Sequence, residues 1–368
     1  MPKPRVLVVF GGASTEHGVS CLTASGVLAA LDRDRYDVAL AGITTEGDWI
    51  RADEATVRAY RVTSAGLPTL DPDGPAALLY RDGATVLLAT LDHGQLLDPV
   101  TVDVALALLH GPFGEDGTIQ GLFEMLGLRY VGAGVLASAA CMDKVTMNRV
   151  LAAAGLPVGP FAAIEDVDWR ADEAACLQAC AGLKYPLFVK PARGGSSVGI
   201  TRVETPADLP AAIVTARRYD PKVIVEEGLV GIREVECGVL VDRRVGGPVA
   251  SLPGEILVNT PTRFYDFTQK YLPEAAVDLV VPAPLTEAQR AEVQRLAVAA
   301  AVALDVEGLA RVDTFVTADG VVVNEVNTMP GFTATSLFPR MWEATGVAYP
   351  ELIGRLLDEA LARPLGLR

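Results

Sequence analysis

The sequence predicts an α/β unit at the N-terminus followed by two α+β units. Three observations carry that expectation. Residues 5–10, RVLVVF, form an apolar run that stops at Gly-Gly, passes into the helical pattern CLTASGVLAAL and returns to a β-rich run, YDVALAGIT. Such alternation of strand and helix is the mark of a parallel sheet. From residue 160 the style changes to short strands, FAAIEDV, YPLFVKPA, GITRVE and KVIVEEGL, with a helical run between the first two. Beyond residue 230, REVECGVLV, PVASLPGEIL, LARVDTFVT and VVVNEVN read as a larger antiparallel sheet. The expected units are residues 1–140, 141–229 and 230–368.

The remaining elements follow in chain order. Residues 45–100 hold Pro, Gly and Asp clusters with a few short strands such as ATVLLAT, and read as an irregular insertion. VDVALALLHG is a buried strand ending at His110. GEDGTIQGLFEMLGL gives a turn and a helix. YVGAGVLASAACMDKVTMNRVLAAAGLP gives two helical stretches closed by Gly-Leu-Pro. DEAACLQACAGL and PADLPAAIVTARRYD are the helices of the small unit. PLTEAQRAEVQRLAVAAAVAL keeps a helical period and opens on a capping box, Thr286 with Gln289.

Composition narrows the function classes. The 368 residues are 50% hydrophobic, which excludes general disorder. Asp+Glu outnumber Lys+Arg by 46 to 31, a net charge of −15, which argues against nonspecific nucleic-acid binding but leaves room for a local basic pocket. No apolar run reaches the length of a membrane span, and MPKPRVLVVFGG enters a strand without a signal core. The five cysteines are odd in number and without CxxC spacing, which suits packing and a reduced cytoplasm. Three histidines make a His-based zinc site a poor expectation.

Several short constellations carry chemistry. In LARVDTFVTADGVVVNEVN, strand alternation puts Arg311 with Asp313 on one face and Glu325 with Asn327 on one face. A three-residue loop, Ala318-Asp319-Gly320, with Gly320 at a left-handed bulge position, would pair 313 with 325 and 311 with 327. Two carboxylates, an amide and a guanidinium then share a face. Oxygen ligands there suit a hard cation such as Mg2+, and a surface salt-bridge patch is the plainer reading. In FVKPARGGSSVGI a buried strand delivers Lys190 to a Gly- and Ser-rich loop. The loop is either a phosphate cradle or a flexible hairpin, and it is not a P-loop, because Lys precedes the glycines.

Glu226 and Glu227 end one strand and Glu234 and Glu236 begin the next, either solvated charge or a seat for an adenine amine and ribose hydroxyls. GGASTEHGVS is a strand–Gly-Gly–helix junction that presents Glu16 and His17, without GxGxxG. Lys144 in MDKVTMNR is a lone helical lysine. TRFYDFTQKYLPEAA is long for a loop in a compact domain, and reads as a lid or an ordinary packed loop.

Taken together, GGASTEHGVS, LLHGPFGEDGTIQG, GAGVLASAACMDK, KPARGGSSVGI, FYDFTQKY, RVDTF and NEVNTMPGFTATS resemble, in order and over essentially the whole chain, the D-alanine–D-alanine ligases of the ATP-grasp superfamily. The resemblance implies an ATP-grasp fold that encloses the nucleotide between the second and third units. It implies ligation of two D-alanines through an acyl phosphate, for peptidoglycan precursors, in a cytoplasmic homodimer. ATP and two Mg2+ (or Mn2+) ions per site are implied, with no nucleic-acid or membrane partner.

By the same resemblance, Lys144 and Lys190 hold the phosphates. Glu226, Leu229 and Glu234 face the adenosine, and Ser197, Glu227 and Asn324 join the nucleotide group. Asp313, Glu325 and Asn327 bind the metals, and Lys270 reaches the γ-phosphate. Arg311 and the Gly331 N–H stabilise the oxyanion. Glu16 takes the first D-alanine's ammonium with Ser196 and Tyr271 bonded to it, and His110 lies near that substrate's carboxyl group. Ser336 and the Leu337 N–H hold the second carboxylate. Tyr271 matches the dipeptide-forming type, so D-alanine is the expected second substrate. Another ATP-grasp ligase with a different carboxylate and amine, or a nonenzymatic nucleotide sensor, are the alternatives.

Overall fold

A computed structural model describes residues 2–64, 66–195, 197–242, 246–258 and 277–366. Eight strands open the chain: β1 (Arg5–Gly11), β2 (Asp37–Ile43), β3 (Trp49–Arg51), β4 (Ala77–Asp82), β5 (Thr85–Asp92), β6 (Gln95–Val102), β7 (Val104–Ala107) and β8 (Arg129–Tyr130). The first sheet has the order β3-β2-β1-β7-β8, with β1 parallel to both β2 and β7. β1 is apolar throughout because it is buried on both faces. Val6, Val8 and Phe10 pack with Cys21, Ala24 and Leu28 of α1 (His17–Ala30), while Leu7 and Val9 share a second core with Ile119 and Phe123. Gly11 closes the strand at φ +88, where a β-carbon would sit 2.3 Å from Ile43 O, so only glycine makes this turn.

The expectation of an irregular insertion over residues 45–100 needs correction. After β3 and the short α2 (Glu54–Arg58), strands β4, β5 and β6 form a three-stranded antiparallel meander. Two-residue turns make it. His93 and Gly94 take φ +47 and +80, and Gly83 takes φ +59. Positive φ at such turns matches the twist of the flanking strands. Ala77, Leu79, Val86, Leu88 and Val102 cover the Leu7 and Val9 face of the first sheet. Pro99 sits in β6, an edge strand, where a missing N–H is tolerated.

α3 (Thr118–Leu126), α4 (Val135–Met142) and α5 (Lys144–Ala153) lead to the second sheet. Asp143 separates the last two helices. Its side chain accepts the Thr146 N–H at 2.9 Å and caps α5, so Lys144 opens the helix. β9 (Phe161–Ile164), β10 (Leu187–Pro191), β11 (Thr201–Val203) and β12 (Val223–Glu227) take the order β11-β10-β12-β9. α6 (Asp166–Ala171) precedes α7 (Glu173–Ala179), which with α8 (Leu209–Ala216) covers one face through Leu187, Val189, Val203, Val223 and Val225. Alternation therefore turns Phe188, Lys190 and Glu226 to the other face.

The third sheet runs β16-β15-β13-β17-β18, with β14 also on β13. Its strands are β13 (Arg233–Asp242), β14 (Gly247–Ala250), β15 (Gly254–Val258), β16 (Val277–Val280), β17 (Leu309–Val316) and β18 (Val321–Asn327). α9 (Glu287–Ala303) carries both halves of the capping box and packs Val293, Leu296 and Ala300 on Val235, Val239, Val312 and Val323. α10 (Leu337–Ala344) and α11 (Tyr349–Ala362) return to the first sheet, where Leu352, Ile353 and Leu356 join its core. The five cysteines are free and buried. Among the described residues no helix is long and apolar enough to cross a membrane.

Candidate active site

Asp313 pairs with Glu325 and Arg311 with Asn327 across β17 and β18. The expected pairs are present, but the expected three-residue loop is not. Val316 pairs with Val321 and Thr317 N–H bonds Gly320 O at 2.8 Å, which leaves two residues at the turn. The register instead shifts inside the ladder, where Thr314 faces Val323 and Asp313 faces Glu325, so Asn324 is the extra residue of a β-bulge. Val321, Val323 and Val326 face the core, whereas Asn324 and Glu325 in succession do not. The bulge thus sends two consecutive side chains toward one cleft.

That cleft lies between the second and third sheets and holds about 690 Å3, a size suited to a small-molecule ligand. Lys144, Lys190, Ser197, Glu226, Glu227, Leu229, Glu234, Arg311, Asp313, Asn324 and Glu325 all border it. Its charges are paired with each other. Lys144 Nζ is 2.6 Å from Glu325 Oε1 and donates to Gly194 O at 2.9 Å. Lys190 Nζ is 2.6 Å from Glu226 Oε2. Arg311 donates to both oxygens of Asp313, at 2.6 and 2.7 Å, and lies 3.0 Å from Glu236. Asn327 Nδ2 donates to the same Asp313 at 3.0 Å.

Burial works against the cations of Lys144 and Arg311, yet the carboxylates around them more than offset it, so both pKa values rise above their ordinary values. Ser197, in the Gly-rich loop, holds φ +60, a conformation rare outside glycine and frequent at ligand sites. Glu227 spends its carboxylate on the Lys184 N–H at 3.0 Å, and its neighbour Glu226 faces the cations.

The residues expected around the amino-acid substrates gather at the mouth of the first unit. A β-carbon on Gly111 or on Gly195 would lie 3.6 Å from Glu16 Oε2, so this carboxylate sits between the HGPFGEDG loop and the Gly-rich loop. His17 is structural, bonding Gly12 O through Nδ1 at 3.0 Å and accepting the Leu70 N–H at 3.1 Å. His110 is buried and donates from Nδ1 to Met329 O at 3.1 Å, and its Nε2 finds no partner among the described residues. Ser336 sits at the N-cap of α10, accepts the Thr333 N–H at 3.1 Å, and would lie 3.2 Å from a β-carbon on Gly331. Leu337 opens that helix, where first-turn N–H groups have no partner inside the helix. Ser196, Lys270, Tyr271 and the expected lid, residues 262–276, lie outside the described residues.

Three further residues belong to the constellation. Glu236, 7% exposed, stands across from Asp313 and completes the Arg311 ion pair; its spacing of two from Glu234 was the available signal. Glu115 accepts the Gly111 N–H at 2.8 Å and the Met329 N–H at 3.1 Å, joining the first unit to the segment after β18. Burial first, then the nearby Glu16 charge, pushes its carboxyl group up to about 8. Asn148, one turn after Lys144 on α5, borders the same cleft.

The donor set is compatible with a hard divalent cation. Among the described residues no three His, Cys, Asp or Glu side chains cluster as a self-sufficient metal site. Two carboxylates and an amide on one face, however, are what Mg2+ uses when phosphate oxygens supply the remaining positions. Around the cleft, Lys144, Lys190 and Arg311 face Asp313, Glu325, Glu226 and Glu236, a net negative balance that calls for added cations if a polyphosphate is to enter.

Comparison with known proteins places this arrangement. Residues 5–133 match the family model for the D-ala D-ala ligase N-terminus, and residues 150–358 match that for the C-terminus. A D-alanine–D-alanine ligase of Kineococcus radiotolerans is 52% identical over 100% of this chain and 99% of its own length. One from Streptomyces griseus is 50% identical over 100% and 95%. Among solved structures, the VanG D-Ala:D-Ser ligase of Enterococcus faecalis superposes with a TM-score of 0.81 at 32% identity, covering 98% of this chain and 100% of that one. The D-alanine–D-alanine ligase of Coxiella burnetii gives 0.81 at 33%, covering 98% and 94%. With two family models spanning most of its length and relatives at about half identity end to end, the chain belongs to the D-alanine–D-alanine ligase family and has the ATP-grasp fold.

Proposed function

We propose that the protein joins two D-alanines at the expense of ATP, giving D-alanyl-D-alanine, ADP and phosphate, as a step toward peptidoglycan. The observation that carries the reading is the Asp313–Glu325 register, which sets two carboxylates beside Lys144 and Arg311 in one cleft. A carboxylate is a poor electrophile. Its oxygen attacks the γ-phosphorus, ADP leaves, and the resulting acyl phosphate is open to attack by the amine of the second D-alanine, which loses a proton as phosphate departs. Such transfer needs positioning and charge neutralisation more than covalent help.

Lys144 and Lys190 orient the phosphates, and Lys270 reaches the terminal one. Arg311 and the Gly331 N–H stabilise the tetrahedral oxyanion, each donor contributing on the order of 3 kcal/mol in comparable sites. Glu16, with Ser196 and Tyr271, holds the first ammonium, and His110 lies beside that substrate's carboxyl group. Ser336 and the Leu337 N–H hold the second carboxylate. Asp313, Glu325 and Asn327 would hold two Mg2+ or Mn2+ ions, whose chemistry would be to neutralise phosphate charge.

The reading includes a cytoplasmic homodimer, and the free buried cysteines support a reducing compartment. A second reading, D-alanyl-D-serine synthesis, is favoured by one observation, the likeness to the D-Ala:D-Ser ligase. Product mass after incubation with ATP, Mg2+, D-alanine and D-serine decides between them. Absence of D-alanine-dependent ADP release would reject both.

A further inference from the structure

We infer that Asn148 reads the nucleobase, its side-chain carbonyl accepting a hydrogen bond from the 6-amino group of adenine. Asn148 is 3% exposed and borders the cleft. Its Nδ2 donates to Glu226 Oε1 at 3.2 Å. A carboxylate only accepts, so this bond fixes the amide with Oδ1 on the other side. Oδ1 is buried and has no hydrogen-bond partner among the described residues. The neighbouring cations are engaged elsewhere, Lys190 with Glu226 and Lys144 with Glu325 and Gly194 O before the nucleotide enters, and with its phosphates afterwards. A buried carbonyl oxygen left without a donor is costly, so a ligand that brings one gains by it.

Position selects the base rather than the phosphates. Glu226 stands opposite Phe188, two residues back along β10 from Lys190 and away from the Gly-rich loop that follows Pro191. Asn148 likewise lies one helical turn beyond Lys144, whose ammonium touches Gly194 of that loop. Phosphate oxygens carry no donor in any case. Adenine presents an amine at position 6, where guanine and hypoxanthine present a carbonyl. A corner made of the Asn148 carbonyl and the Glu226 carboxylate accepts the first and repels the second. The inference rests on the cleft being the ATP site and deepens that reading.

The test is equilibrium binding, with Mg2+ and without D-alanine, of ATP and of purine riboside triphosphate, which keeps the ribose and lacks the amine. The native protein should bind ATP about tenfold tighter, the worth of one hydrogen bond to a buried acceptor. In Asn148→Leu that preference should fall severalfold, the Glu226 carboxylate alone remaining to accept from the amine. Asn148→Ala and Asn148→Ser are measured beside it, so that one poorly folding variant does not decide the matter. A residue that only supports α5 would weaken both nucleotides alike and keep their ratio. Equal binding by the native protein, or an unchanged ratio in the folded variants, overturns the inference. The ligase reading is tested separately, by D-alanine-dependent ADP release with ATP, and its failure would leave the ratio untouched.

Discussion

Arg311 grips Asp313 through two parallel hydrogen bonds and lies beside Glu236, so its planar fork matters as well as its charge. Lysine cannot reproduce that fork. Arg311→Lys should therefore keep ATP affinity within severalfold while D-alanine-dependent ADP release falls by about 100-fold, the scale of one lost transition-state donor. A variant that turns over at the native rate would remove Arg311 from the chemistry.

Glu115 makes a different statement, about stability. Its folded-state value of about 8 stands well above the ordinary 4.5, so the folded chain retains a proton that the unfolded chain releases. The stability from this group is fully present below about 4.5 and is lost as pH rises through about 8. Glu115→Gln removes the titration and keeps an acceptor for one of the two N–H groups, Gly111 or Met329, at a cost that does not change with pH. Thermal melts across that window should show the native protein losing ground to the variant as pH rises. A constant difference would show that Glu115 titrates normally.

At the scale of elements, the β18 bulge decides which side chains meet. Alternation of residues at i and i+2 made the shared faces of 311 with 313 and of 325 with 327 legible in the sequence. The bulge itself was not legible, because Asn324 is one polar residue among several at a strand end, and a loop of odd length gives the same pairs, 311/327 and 313/325. The two explanations part under deletion. With the bulge, removing Asn324 makes the ladder regular and leaves Glu325 opposite Asp313. Such a variant should fold, since a bulge residue is unpaired in the ladder, and should retain measurable D-alanine-dependent ADP release, lowered by the loss of the Asn324 side chain from the cleft. Removing Val326 instead drives Asn327 into the core. That loses about 1.5–3 kcal/mol of apolar burial, with the cost of a buried amide added, and should abolish activity. Loss of activity on deleting Asn324 but not Val326 would contradict the register. The meander over residues 77–102 hid for a related reason, its outer edge strand being exposed, without regular alternation and interrupted by Pro99. Asn148 was invisible because its partner, Glu226, lies 78 residues away in sequence.

For the whole molecule, the cleft exists because two sheets from different parts of the chain turn their charged faces toward each other, within a protein of net charge −15. Its cations and anions satisfy one another, so nucleotide binding is an exchange of partners. Lys144 must leave Glu325 and Lys190 must leave Glu226 if both are to meet phosphates. Carboxylates stripped of their partners in a half-buried site are strongly unfavourable. A divalent cation beside Asp313 and Glu325 would relieve that cost, which couples the two ligands thermodynamically. Removing the metal with a chelator should weaken ATP binding by at least about tenfold, a coupling near the low end of the usual range. Glu325→Gln removes one of the charges left behind, so ATP binding without metal should become tighter than in the native protein and the metal dependence should shrink. Thermal shifts read the same linkage. ATP with Mg2+ at about 100 times Kd should stabilise the native protein by about 2.7 kcal/mol, and ATP with chelator by distinctly less. Equal ATP affinity with and without the metal, in both proteins, would mean that the lysines serve the phosphates without giving up their carboxylates.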